Sequence, residues 1–162
     1  MSGTPQTMSD VGAGLPEALA EIAEDFAELS APERLQLLLE FSEGLPALPE
    51  RYAGHLDSME QVHECQSPLF LLVEVGDDPA ETPRDRPVHL YFSAPPEAPT
   101  TRGFAGILHE GLDGLTVGEV LAVPDDAPYR FSLGEAVSPL RLRGMVGMLS
   151  RIKRQTALKA QV

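Results

Sequence analysis

The stretch His63-Glu64-Cys65-Gln66-Ser67-Pro68-Leu69-Phe70-Leu71-Leu72-Val73 joins the chain's single cysteine to an apolar run. Leu69–Val73 reads as a buried strand. Downstream, Val88-His89-Leu90-Tyr91-Phe92 alternates apolar and polar residues, which predicts a second strand with one buried face. Residues 76–87 between them are charged and proline-rich and suit an exposed hairpin loop. No crossover helix fits in that interval, so the two strands are expected to be antiparallel. Upstream, residues 45–63 form a long irregular connection in which Pro46, Pro49 and Gly54 oppose regular structure. A loop of that length in a compact domain is usually functional or disordered. Cys65 stands at its end, where loop meets strand.

Helices flank this core. Leu15, Leu19, Ile22, Phe26 and Leu29 recur every three or four residues and predict a helix from Pro16. Ser30-Ala31-Pro32-Glu33 has capping-box form and opens a second helix, with Leu35, Leu38, Leu39 and Phe41 as its stripe and Gly44 as its stop. These two are expected to form an antiparallel pair. A third helix is predicted near residues 100–112, with Phe104, Ile107 and Leu108 on one face. Thr116-Val117-Gly118-Glu119 begins a short fourth that stops before Pro124. Ser138-Pro139 begins the last, carrying Leu142, Met145, Val146, Leu149 and Ile152 inward. Arg151, Lys153 and Arg154 near its end suit the helix dipole. The order ααββααα gives an α+β domain, a small antiparallel sheet packed against helices, over residues 15–160, behind a disordered tail of residues 1–14.

A net charge of −13 disfavours nucleic acid and anionic membranes as partners. No apolar run approaches the roughly 20 residues that span a bilayer, and Met1–Asp10 has neither the basic nor the apolar region of a secretion signal. A cytoplasmic location is expected. The charge is uneven: residues 1–60 hold 12 acids and 2 bases, residues 129–162 hold 1 acid and 7 bases. An acidic face that selects a basic partner is one reading, and a plain solvated surface is the other.

Cys65 cannot form an internal disulfide, so the fold does not rest on oxidation. To act as a nucleophile it must be thiolate, with its pKa lowered by cations or hydrogen-bond donors. His63 and the backbone N–H groups of Gln66 and Ser67 are candidates, while the carboxylate of Glu64 opposes them. A cysteine hydrolase would need a His base and an orienting Asn or Asp; the chain has no Asn, and no glycine elbow surrounds Cys65. His55, His63 and Cys65 do not have the spacing of a standard zinc site. His89 and His109 read as surface residues of a strand and a helix, and there is no glycine-rich phosphate loop.

The chain resembles the SufE family of cysteine-desulfuration proteins, in an actinobacterial-type branch, from about Leu15 to Lys159. Four segments carry the resemblance in order: Leu39-Glu40-Phe41 through Leu45-Pro46-Ala47-Leu48-Pro49; Glu64-Cys65-Gln66-Ser67-Pro68-Leu69-Phe70-Leu71; Ala98-Pro99-Thr100-Thr101-Arg102-Gly103-Phe104; and Ser138-Pro139-Leu140-Arg141-Leu142-Arg143-Gly144-Met145. The resemblance implies a SufE/IscU-like fold and a persulfide carrier. Cys65 would accept sulfane sulfur from a SufS-like cysteine desulfurase and pass it to an iron–sulfur scaffold. Pyridoxal phosphate would belong to the desulfurase, with no cofactor or metal bound by this chain. Arg141 matches a family arginine that accompanies the active cysteine. The chain departs from the common pattern at Glu64, where glycine is frequent, at Ala136, where histidine is frequent, and at Glu97, where aspartate is frequent. A non-catalytic acidic adaptor, with Cys65 incidental, is the alternative from another class.

Overall fold

A computed structural model describes residues 11–162. The local start signals act as the chemistry of their side chains requires. Ser30 and Thr116 each close a reciprocal capping box with Glu33 and Glu119, and Ser138 Oγ accepts the Arg141 N–H at 3.3 Å. Five α-helices result among the described residues: α1 (Glu17–Ala27), α2 (Ala31–Glu43), α3 (Pro99–Leu112), α4 (Val117–Leu121) and α5 (Pro139–Ala160). The sheet has strands β1 (Glu60–Gln61), β2 (Phe70–Val75) and β3 (Val88–Ser93), ordered β1-β2-β3 and antiparallel throughout. The expected α+β class and the antiparallel β2–β3 pair are present, in register from Phe70 opposite Ser93 to Val75 opposite Val88.

Three features differ from expectation. A third strand, β1, lies inside the connection read as irregular; its Gln61 pairs with Phe70 and its Glu60 with Leu71. Two polar residues carry no alternation, so only the strand beside them defines them as a strand. Second, α1 and α2 pack chiefly on α3 rather than on each other. They meet through the stacked rings of Phe26 and Phe41, 5.9 Å apart. Third, the α2 stripe is narrower than the leucine spacing implies: Leu38 is fully buried and Leu35 is exposed. Residues 1–10 of the expected tail lie outside the described residues. Val11–Gly14 make a turn whose carbonyls at Val11 and Ala13 accept from Arg130 at 3.3 and 2.7 Å.

The core is shared by all layers. Phe104, Ile107 and Leu108 of α3 face Leu71, Val73 and Leu90 of the sheet together with Met145, Leu149 and Ile152 of α5, in one continuous buried cluster. α5 lies across β2, where Gln155 Oε1 accepts the Val73 N–H at 2.9 Å. No helix among the described residues is long and apolar enough to cross a membrane.

Close approach of α2 to α3 depends on Gly106, where an added Cβ would lie 2.3 Å from the Phe41 carbonyl oxygen. Backbone cannot swing aside as a side-chain tip can. Gly106→Ala is therefore expected to cost about 2–3 kcal/mol and to lower the thermal midpoint by about 5–10 °C. Gly134→Ala, with no atom within 4 Å of the new methyl, should leave the midpoint in place. Calorimetry of the two variants checks the difference.

Candidate functional site

Cys65 sits in the loop of the β1–β2 hairpin. The Val62 N–H donates to the Leu69 carbonyl at 2.8 Å, and the Cys65 N–H donates to the Val62 carbonyl at 3.2 Å. Val62 and Leu69 are fully buried and hold the base of the loop in the core. Pro68 has no N–H to donate, so the ladder cannot continue past Leu69 toward the cysteine. Residues 63–68 leave the sheet as a projecting turn.

That turn lies on α5. A Cβ at Gly144 would come within 2.9 Å of Cys65 Sγ, and one at Gly147 within 2.8 Å of Glu64 Cδ. Two glycines three residues apart thus form a bare strip on which residues 64 and 65 rest. Arg141 and Arg151 flank it on the same helix. Arg151 Nη1 contacts Glu64 Oε1 at 2.9 Å, and Arg151 Nε faces Glu60 Oε2 at 3.5 Å. On the other side Ser67 Oγ hydrogen-bonds Thr101 Oγ1 at 3.0 Å, tying the loop to the first turn of α3. Between these walls is a cavity of about 320 Å³, lined by Cys65, Ser67, Glu97, Thr100 and Arg141 among others. Arg141 Nη1 donates to Thr100 Oγ1 at 3.3 Å across its rim. A larger cavity of about 610 Å³ between α2 and α3 contains Glu40, His109, Glu110 and Asp113 but no cysteine, serine or threonine. Cys65 lines the smaller one.

Residues 20–156 match the SufE family model, described as an Fe–S metabolism associated domain. The chain belongs to the SufE family. It is 52% identical over 143 residues to uncharacterized SufE-like proteins of two Mycobacterium tuberculosis strains, covering 88% of this chain and 94% of each relative. These matches place it in an actinobacterial-type branch. It is also 24% identical over 149 residues to the chloroplastic/mitochondrial SufE-like protein 1 of Arabidopsis thaliana, 91% of this chain but 37% of that protein. The solution structure of a hypothetical protein from Thermus thermophilus superposes with a TM-score of 0.75 at 36% identity, over 91% of this chain and 99% of that one.

In this SufE-family chain the structure brings Cys65 and Arg141 to one cavity without direct contact between them. The environment of the thiol differs from the sequence reading in two respects. His63 is exposed, and its charge bears on Glu64 rather than on Cys65. Arg151, read from sequence only as a complement to the helix dipole, is the cation that acts on the thiol. Its signal was latent in the spacing: Arg141, Gly144 and Arg151 share one helical face. Glu64 is held below the usual carboxylate range, first by its hydrogen bond from Arg151. Burial, followed by the Glu64 carboxylate, pushes the Cys65 thiol up to about 11, against the opposing pull of Arg151. Among the described residues no group of three or more His, Cys, Asp or Glu side chains is placed to hold a metal ion.

At rest, then, Cys65 is a protonated thiol. Its alkylation by iodoacetamide should rise with pH through an inflection near 11 rather than near the ordinary value of 9.0. The unfolded chain releases this proton first, so the Cys65 contribution to stability is complete below about pH 9 and is lost as pH climbs through 11. A stopped-time alkylation profile by intact mass reads the inflection directly.

Proposed function

We propose that this chain is a sulfur acceptor: it takes sulfane sulfur from a cysteine desulfurase onto Cys65 and relays it toward iron–sulfur cluster assembly, stimulating the desulfurase by removing its product. The observation that carries this reading is the placement of the only thiol on a hairpin loop, over a glycine strip, in a cavity that also receives Arg141. The family's association with iron–sulfur metabolism supports it. The net charge of −13 favours a protein partner over nucleic acid or an anionic membrane.

The chemistry is thiol exchange at sulfur. The Cys65 thiolate attacks the outer sulfur of the donor persulfide. A new S–S bond forms on Cys65, the donor's S–S bond breaks, and the donor cysteine leaves as a thiolate. The sulfur oxidation level is conserved, so no external oxidant enters. Pyridoxal phosphate is the desulfurase's cofactor in this scheme, and this chain contributes a thiol, a cavity and a cation. Arg141 stabilises the attacking thiolate and the perthiolate product, its guanidinium fork reaching into the cavity as the loop adjusts. Because the resting thiol is protonated and half-buried, the carrier is protected when alone and needs its partner to favour an open loop through differential binding.

Intact-mass measurement after incubation with a desulfurase and L-cysteine tests the reading. A gain of one sulfur on Cys65, reversed by reductant, is expected. Cys65→Ser should fold normally and fail to stimulate the desulfurase; full stimulation by this variant would favour the acidic adaptor. Turnover of a small substrate without any partner would favour a hydrolase instead.

Arg141→Ala should slow sulfur acceptance by about tenfold or more, the loss of a hydrogen bond to a charged group. Arg141→Lys should recover part of the rate, since an ammonium lacks the planar fork. Because Arg141 is exposed, neither change should move the thermal midpoint. An Arg141→Ala protein that melts early and transfers sulfur at the normal rate would reduce the residue to a structural role.

A further inference from the structure

Glu64 immediately precedes the acceptor cysteine, and its carboxylate reaches α5 only because Gly147 has no side chain. Arg151, four residues further along the helix, meets it there. One guanidinium nitrogen, Nη1, lies 2.9 Å from Oε1 and 3.1 Å from Oε2 of Glu64, and donates to the Gly147 carbonyl at 3.2 Å. The Arg151 side chain is 17% exposed, so it is held by packing as well as by charge. Its Nε faces Glu60 of β1, whose carboxylate is also bound by Arg154 and by Gln155 Nε2 at 2.9 Å. Gln155 in turn holds the Val73 N–H of the central strand at 2.9 Å. One cation therefore ties both the strand before the cysteine and the residue next to it to the same helix.

We infer that the Glu64–Arg151 ion pair is a latch that positions Cys65 against Gly144 and restrains its attack until the loop is released. This inference rests on the acceptor role proposed above. Arg151 and Glu64 are positioning residues in it: neither touches the incoming sulfur, and both act through where the loop sits. A docking desulfurase must compete for this pair to draw the loop outward, so latch release and thiol exposure are one event.

A latch and a simple electric field make opposite demands at Arg151. As a cation near the thiol, Arg151 favours the thiolate, and its removal by field alone slows the reaction of Cys65. As a latch, its removal frees the loop, lets Cys65 leave the glycine strip, and speeds the reaction. At Glu64 both effects have the same sign, so the arginine decides.

The experiment uses the full chain, free of partner, with iodoacetamide as the probe. Arg151→Gln is expected to accelerate Cys65 alkylation about fivefold, the opening that follows loss of a partly exposed ion pair. Arg151→Lys, which keeps the charge and loses the fork, should fall between it and the native chain. Added salt should speed the native chain and have little effect on Arg151→Gln. Amide hydrogen exchange supplies the second readout: the increase in Arg151→Gln should be confined to residues 63–67, where the Cys65 N–H loses its Val62 partner. Alkylation that is unchanged or slower in Arg151→Gln overturns the latch, as does faster exchange along the whole of α5. Sulfur uptake from a desulfurase, measured on the same proteins by mass, separates the two readings. If the native chain accepts sulfur and Arg151→Gln alkylates no faster, the latch fails and the carrier stands. If Arg151→Gln alkylates faster and no chain accepts sulfur, the carrier fails and the latch stands.

Discussion

The site depends on the close approach of the Cys65 hairpin to α5 at Gly144 and Gly147. An added Cβ would collide with Cys65 Sγ at Gly144 or with the Glu64 carboxylate at Gly147, so these side chains could not rest where they do. Glycine in a helix interior is costly, at about 1 kcal/mol each relative to alanine. Here two of them sit in a 22-residue helix that buries Met145, Met148, Leu149 and Ile152 on its core side. Tertiary burial of that face offsets the local cost, and the bare strip that remains becomes the bed for Cys65. Helix stability and site geometry are met on different faces of one element.

The bed has an electrostatic consequence. A thiol on a glycine strip, beside a carboxylate and half-removed from water, is a poor nucleophile, and its pKa rises rather than falls. For an enzyme that turns over alone this would be a defect. For a carrier whose sulfur is lost to any passing reductant, a quiet resting state is useful, because reactivity can be tied to the partner's presence. Arg141 lines the cavity in front of the thiol, whereas Arg151 stands behind the loop and is occupied by Glu60 and Glu64. Two arginines on one helical face thus stand in different surroundings.

Much of this was readable before any coordinates. Capping boxes at Ser30 and Thr116 and the Ser138-Pro139 start are decided within four residues, so the helices begin where the local chemistry places them. The β2–β3 pair followed from an apolar run and an alternating run with no space for a crossover. Cys65 was an evident candidate because it is alone, stands where loop meets strand, and lies in a segment resembling the SufE motif. These are properties of short, contiguous stretches.

Other features belong to the tertiary structure alone. Glu60-Gln61 is a strand because β2 lies beside it, and nothing in a polar dipeptide announces that. α2 settles on α3 because Gly106 lets its backbone come near, and α1 does so where Gly111 leaves space for Leu19, preferences no leucine spacing reveals. His63, two residues before the cysteine in sequence, is exposed, while Arg151, 86 positions away, acts on the thiol. Sequence proximity fixed which groups were suspected. Through-space distance and burial decided which of them act, because a charge is felt across a few ångströms of low-dielectric protein regardless of how much chain separates the two ends.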